Sequence, residues 1–247
     1  MTKRNATAAV IGAGDFIGAA ICERFAAEGY AVFAGRRSAD KLAPLKARIE
    51  AAGGELIARG LDARKEEDII AFLAAAEAHA PLDVCIFNPG ANVRFPLLDT
   101  TERVFRKVWE MACFAGFLTG REAARLMLPR GKGSIFFTGA TASLRGGVGY
   151  AAFASAKAGL RNLAQSMARE LGPGGIHVAH LIIDAGVDTA FVRERIKAAR
   201  GDEALANLPP DQLMNPKSIA EAYWAIHTQS RDAWTFEMDL RPFSERW

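Results

Sequence analysis

Gly12, Gly14 and Gly18 punctuate a stretch from Ala8 to Ile21 that reads as a short apolar strand, a tight turn and a helix with no linker between them. Gly12 lets the chain leave the strand, Gly14 lets backbone approach a ligand, and Gly18 lets the helix pack onto the strand. Asp15, Phe16 and Ile17 complete the turn, and the free backbone N–H groups at the helix start face an anion. A pyrophosphate is the natural guest. The third glycine comes one residue later than in Gly-x-Gly-x-x-Gly, so the spacing also fits a packed strand-turn-helix that holds no ligand.

The elements that must position this turn follow from the apolar pattern. Tyr30 to Gly35 reads as a second strand ending in Arg36-Arg37-Ser38, and Lys41 to Ala52 as a helix closed by Gly53-Gly54. Glu55 to Leu61 is a third strand running into Asp62, Glu66 to Ala78 a helix, and Asp83 to Phe87 a fourth strand ending in Asn88-Pro89-Gly90. Arg103 to Leu128 reads as one helix stopped by Pro129 and Gly131. Ser134 to Thr138 is a fifth strand, and a Gly-rich loop leads to a helix over Tyr150 to Leu171. His177 to Ile183 is a sixth strand and Trp234 to Leu240 a last one. Strands alternating with helices imply an α/β fold, a doubly wound parallel sheet of about seven strands with helices on both faces, which binds ligands at the carboxyl ends of its strands.

Composition narrows the class. With 247 residues, half of them hydrophobic, and no Pro- or Ser-rich linker, the chain reads as one domain over 1–247. A polar segment at about 184–216, containing Pro209-Pro210, suits a lid over a site. The net charge of +3 is small and the basic residues are scattered, so nucleic acid is not implied. No stretch reaches membrane-spanning length. Cys22, Cys85 and Cys113 lack metal spacing and read as buried thiols of a reducing compartment, the cytoplasm. His177 and His180, three apart on one strand, point to opposite faces and make no metal site together. Phe243 and Trp247, aromatics close to the end, suggest burial against another subunit.

Taken together, Gly12-x-Gly14-x-x-x-Gly18, Asp62, Asn88-Pro89-Gly90 and Lys157 one turn into the helix after strand five resemble the short-chain dehydrogenase/reductase family over nearly the whole chain. The resemblance implies a single-domain Rossmann fold that binds NAD(H) or NADP(H) and assembles as a homodimer or homotetramer. It places Asp62 and Ala63 against the adenine, although a helix cap serves Asp62 equally well. It lays Asn88, Pro89 and Gly90 along the cofactor, sets Lys157 on the nicotinamide ribose, and puts Asp184 and Thr189 near the nicotinamide. At the end of the second strand an acidic residue would accept from the ribose hydroxyls. Gly35 stands there instead, and Arg36 backed by Arg37 favours NADP(H), with NAD(H) possible. Asp15 is a contrary sign, because a carboxylate beside a phosphate weakens that preference.

The family's chemistry also uses a tyrosine four residues before the lysine, a serine and a helix asparagine. Counting from Lys157 puts Phe153 at the tyrosine position and Ala140 at the serine position, and the preceding long helix puts Ala112 at the asparagine position. Tyr150, on the same helix face as Phe153 and Lys157, is the candidate surrogate acid. Asp184 is a second, if apolar neighbours raise its pKa, and its alternative role is a helix-cap or lid hydrogen bond. Thr138, Thr141 and Ser143 offer hydroxyls to a substrate or to their own tight loop. Two leading readings result, beside a third, a structural homolog with an empty cleft. One is an NADP(H)-preferring oxidoreductase acting on a small carbonyl, alcohol or enone with a nonstandard proton donor. The other is a dinucleotide-binding protein without turnover, a sensor or partner subunit.

Overall fold

The computed structural model describes residues 2–245. Seven parallel strands, β1 (Thr7–Ile11), β2 (Ala31–Arg36), β3 (Glu55–Gly60), β4 (Leu82–Phe87), β5 (Gly133–Thr138), β6 (Ile176–Ile183) and β7 (Glu237–Leu240), form one sheet in the order β3-β2-β1-β4-β5-β6-β7. Strands β1, β5 and β6 are buried from end to end, which is why they read as continuous apolar runs rather than as alternating ones.

Helices cover both faces. One layer is α1 (Ile17–Ala27), α2 (Ala43–Ala51) and α8 (Pro216–His227), packed through Phe25, Ile49 and Tyr223 onto the side chains of Val10, Val32 and Ile86. The other is α3 (Glu66–His79), α5 (Ala115–Met127) and α6 (Ala151–Leu171), packed through Phe72, Leu118 and Leu160 onto Ile11, Phe87 and Phe137. Alternate residues of each strand serve opposite layers, as the strand period requires. Gly18 permits a close approach of α1 to the glycine turn: a Cβ there would lie 2.5 Å from the Gly12 carbonyl oxygen.

Three elements differ from the sequence reading. The expected helix over Arg103 to Leu128 is divided into α4 (Glu102–Trp109), a π-helical turn (Glu110–Phe114) and α5. The wider turn carries Ala112 and Cys113 into a small apolar cluster with Ala152, Phe153 and Ala156 of α6. Helix α8 was not anticipated, although Asn215 caps it by accepting from the Lys217 amide and Ile219, Tyr223 and Ile226 recur at helical spacing. The last strand is shorter than expected, beginning at Glu237 rather than Trp234, whose ring instead stacks on His177 with centroids 4.7 Å apart.

The segment from Asp184 folds into α7 (Ala190–Ala206), interrupted at Gly201, where φ is +87°. Val187 pairs with Met214, so the segment leaves the sheet and returns to it beside α8. Cys22, Cys85 and Cys113 are free and buried as expected. Phe243 is 86% exposed in the single chain, and Trp247 lies outside the described residues. Among the described residues no helix is long and apolar enough to cross a membrane and no group of His, Cys, Asp or Glu could hold a metal ion.

Candidate active site

Strand order reverses between β1 and β4, and a cavity of about 530 Å³ opens at their carboxyl ends. Its walls come from the glycine turn (Gly12, Gly14), the end of β2 (Gly35, Arg36, Arg37), Asp62 and Ala63 after β3, and Asn88, Pro89 and Gly90 after β4. Gly12 sits at φ +80°, and a Cβ there would come within 2.9 Å of the Pro89 nitrogen. Gly14 and Gly90 face open space. The first hydrogen bonds of α1 run from Ala19 to Gly14 and from Ala20 to Phe16, so the Ile17 and Gly18 amides stand ahead of them at the positive end of the helix. Phe16 turns its ring outward, 37% exposed, and does not line the cavity.

One end of this cavity is basic. Arg36, Arg37 and Lys41 share its wall with Ser38 and Asp62. The sequence reading named the two arginines but not Lys41 or Ser38, whose signal is only their position on the turn between β2 and α2. Arg36 donates to Asp15 at 2.8 Å. Asp62 is held by Arg64, whose Nε, Nη2 and backbone amide all donate to its carboxylate, which pulls the Asp62 pKa down to about 2. Asp62 does not cap α3, whose N-cap is Lys65; its side chain organises the turn before that helix while lining the cavity.

At the centre, a chain of polar groups fixes the floor. Asn88 donates from Nδ2 to the Gly12 carbonyl and accepts at Oδ1 from Thr138. The Thr138 hydroxyl, its proton thus committed, accepts from the fully buried Tyr223 at 2.6 Å. Lys157 donates to the carbonyls of Thr138 at 2.8 Å and Pro89 at 3.2 Å. Burial pushes its pKa down to about 8.

A second cavity of about 340 Å³ is lined by Ala140, Phe153 and Tyr150, with Asn92, Thr141, Arg145 and Ile183 also on its walls. Tyr150 stands at the N-cap of α6, and its hydroxyl oxygen accepts from Arg195 of α7 at 3.2 Å. That leaves the Tyr150 proton free to be donated. Thr141 faces the cavity, whereas Thr138 belongs to the floor network and Ser143 is buried, accepting from the Ala140 amide. Thr189 caps α7 by accepting from the Val192 amide.

Asp184 is corrected as a candidate acid. The expectation required apolar neighbours, but the carboxylate lies 3.3 Å from Arg145 and 3.4 Å from Arg241. Its neighbours are therefore charged rather than apolar. His177 and His180 are buried and separate: His177 meets the Thr235 carbonyl, and His180 meets Glu237.

Residues 6–200 match the family model described as short chain dehydrogenase. The chain belongs to the short-chain dehydrogenase family. This family comprises oxidoreductases that bind a nicotinamide dinucleotide, and the glycine turn, the open backbone at Gly14 and Gly90, and the amides at the start of α1 fit such a group. Among curated relatives, this short-chain dehydrogenase is 30% identical to the short-chain reductase protein NovJ of Streptomyces niveus, over 98% of the chain and 89% of NovJ. It is 32% identical to the Bacillus subtilis oxidoreductase YuxG over 87% of the chain, but spans only 34% of that longer protein. Among solved structures, a short-chain dehydrogenase from Rhodopseudomonas palustris shares 62% identity, covering 97% of this chain and 100% of the other, with a TM-score of 0.83.

Proposed function

We propose that this short-chain dehydrogenase is an NADP(H)-preferring oxidoreductase that interconverts a small carbonyl, or enone, and its reduced product, with Tyr150 in place of the usual proton donor. The observation that carries the reading is the Tyr150 hydroxyl. It lies on the wall of the cavity that adjoins Ala140 and Phe153, with its oxygen bound by Arg195 and its proton uncommitted.

The residues divide the work. Asp62 and Ala63 would meet the adenine, and Arg36, Arg37 and Lys41 a 2′-phosphate. Each charge-assisted bond of that kind is worth roughly 1.5–3 kcal/mol. Gly12, Gly14 and the first turn of α1 would take the pyrophosphate, and Asn88, Pro89, Gly90 and Lys157 the nicotinamide ribose. Asp184 would act by orienting the Arg145 loop, and Thr189 by starting α7 beside the nicotinamide. When bound, the reduced dinucleotide supplies hydride to the carbonyl carbon. Tyr150 supplies the proton to its oxygen and regains one from solvent past Arg195. The segment at 184–216 would close over the substrate. Exposed Trp109 and Phe117, both stacked on the half-buried Phe114, support a homo-oligomer formed through the α4 and α5 face.

The second reading is a dinucleotide-binding protein without turnover. It is favoured by the cluster of Ala112, Phe153 and Ala156, which is apolar where the resemblance places a proton-relay asparagine and a tyrosine. Calorimetric titration with NADPH and NADH, followed by a screen of carbonyl substrates with wild type and Tyr150→Phe, separates the two. Tight NADPH binding with turnover lost in Tyr150→Phe supports the enzyme. Tight binding without turnover of any substrate supports the binding protein, and binding of neither dinucleotide sinks both.

A further inference from the structure

We infer that the substrate carries an anionic headgroup, a carboxylate or a phosphomonoester, on an apolar body; the inference rests on the second cavity being the substrate site. A further cavity of about 560 Å³ lies beneath α7 and shares Asn92, Ala140, Ile183 and Ala185 with it, so the two form one cleft. Apolar side chains line part of it, Val187 and Leu213 beneath α7 and Val192 and Ile196 on α7 itself.

The rim is basic. Arg145 lines the inner lobe, and Arg195 and Arg200 line the outer one. Arg94 holds its guanidinium 5.8 Å from the centre of the Tyr150 ring, and Arg195 donates to that ring's hydroxyl. Many arginines of this chain are paired with carboxylates, as Arg24, Arg106, Arg161 and Arg193 are. Among the described residues, Arg94, Arg195 and Arg200 have no carboxylate within ion-pairing distance, and Arg145 shares Asp184 with Arg241. Glu245, at the outer lobe, is the one carboxylate among the residues that line the cleft. An excess of guanidinium around an apolar floor recognises an amphipathic anion, since planar forks bind carboxylate and phosphate oxygens in pairs.

Arg195 is the centre of this arrangement because it reaches from α7 to Tyr150 at the start of α6. A headgroup on Arg195 would fix the distance from the anion to the carbonyl that meets Tyr150. It would also draw α7 toward the cleft.

The test is calorimetric titration of the NADPH-loaded full chain with two matched pairs: benzoylformate against methyl benzoylformate, and hydroxyacetone phosphate against hydroxyacetone. At least one charged member is expected to bind about ten- to a hundredfold tighter than its neutral partner. Which pair shows the difference separates carboxylate from phosphate. The difference should vanish in Arg195→Gln and persist in part in Arg195→Lys, with Arg200→Gln as a second, more peripheral variant. Equal binding of charged and neutral members, undiminished binding to Arg195→Gln, or binding of no charged member overturns the inference. If NADPH does not load, the cofactor reading fails separately, and the same charged-to-neutral comparison on the unloaded chain still decides the headgroup.

Discussion

Arg36 donates from Nη1 to the Asp15 carboxylate at 2.8 Å, tying the end of β2 to the glycine turn at the basic end of the first cavity. Asp15 is 69% exposed, so the pair is largely solvent-screened and contributes little to stability. Its consequence is for binding: the guanidinium proposed to meet a 2′-phosphate is already engaged by a carboxylate. Asp15→Asn should therefore raise NADPH affinity by roughly two- to tenfold and leave NADH affinity and the melting temperature nearly unchanged. Paired titrations of wild type and variant check this. An equal gain for NADH would show that Asp15 acts on the pyrophosphate and not through Arg36.

The floor network makes a different kind of prediction. Tyr223 donates to Thr138, Thr138 to Asn88, and Asn88 to the Gly12 carbonyl, so α8, β5, β4 and the glycine turn are joined through three side chains. Tyr223→Phe removes one donor and leaves Thr138 its bond to Asn88, at a cost of about 1 kcal/mol and a fall in melting temperature of roughly 2–4 °C. Asn88→Ala strips partners from both the Gly12 carbonyl and Thr138, so it should cost more and weaken dinucleotide binding as well. Thermal melts with and without NADPH check both. Equal losses for the two variants would mean that the network does not transmit to the turn.

How far the sequence discloses this site depends on how local each signal is. The glycine turn and Asn88-Pro89-Gly90 were legible as lining of one cavity because a short run of residue types demands one backbone path, and the alternation of strands and helices then brings the runs to the carboxyl ends of neighbouring strands. Tyr223 was not legible, since its role depends on α8 meeting β5 across a sequence separation of 85 residues. Arg195 and Tyr150 are 45 apart, and nothing in either neighbourhood announces the other. Asp184 was misread for the same reason. Arg145 and Arg241 reach it from distant loops, so the apolar neighbours on which the acid reading depended are not there.

Two buried histidines set the acid limit of the fold. Tyr30 donates to Asp83, so its oxygen accepts from His227 Nε2, and His227 Nδ1 then accepts from Ser134; this arrangement requires a neutral ring. Burial holds the His227 pKa down at about 4, and that of His180 also at about 4 despite the attraction of Glu237. Between about pH 6.5 and pH 4 the unfolded chain binds protons that the folded chain refuses, so stability falls as pH falls through that window. The loss approaches about 3 kcal/mol per histidine at the lower limit. Melting temperatures across the window should decline steeply in wild type and less steeply in His227→Gln. An unchanged slope in the variant would show that His227 is protonated in the folded state.

Phe153 lies one turn before Lys157, buried against Ala112, Ala152 and Ala156, with the Lys157 ammonium 6.0 Å from its ring centre and the Tyr150 ring 6.4 Å away. If Phe153 and Ala140 stand where the resemblance places a tyrosine and a serine, a phenol at 153 would add a hydroxyl to the wall of the second cavity, on the helix face that carries Lys157. General acids contribute roughly 10²–10⁴ in rate, so Phe153→Tyr combined with Ala140→Ser should raise carbonyl reduction by about ten- to a hundredfold where the native chain turns over slowly, and should make it measurable where the native chain does not turn over. The sharper comparison is made in the Tyr150→Phe background. If Tyr150 is the native donor, that variant is inactive and the two added hydroxyls restore it. If the native chain outpaces the restored one on the same substrate, the proton comes from Tyr150 in a geometry that a phenol at 153 obstructs, and Phe153 is then part of the mechanism as the apolar wall that keeps water from the reacting carbonyl.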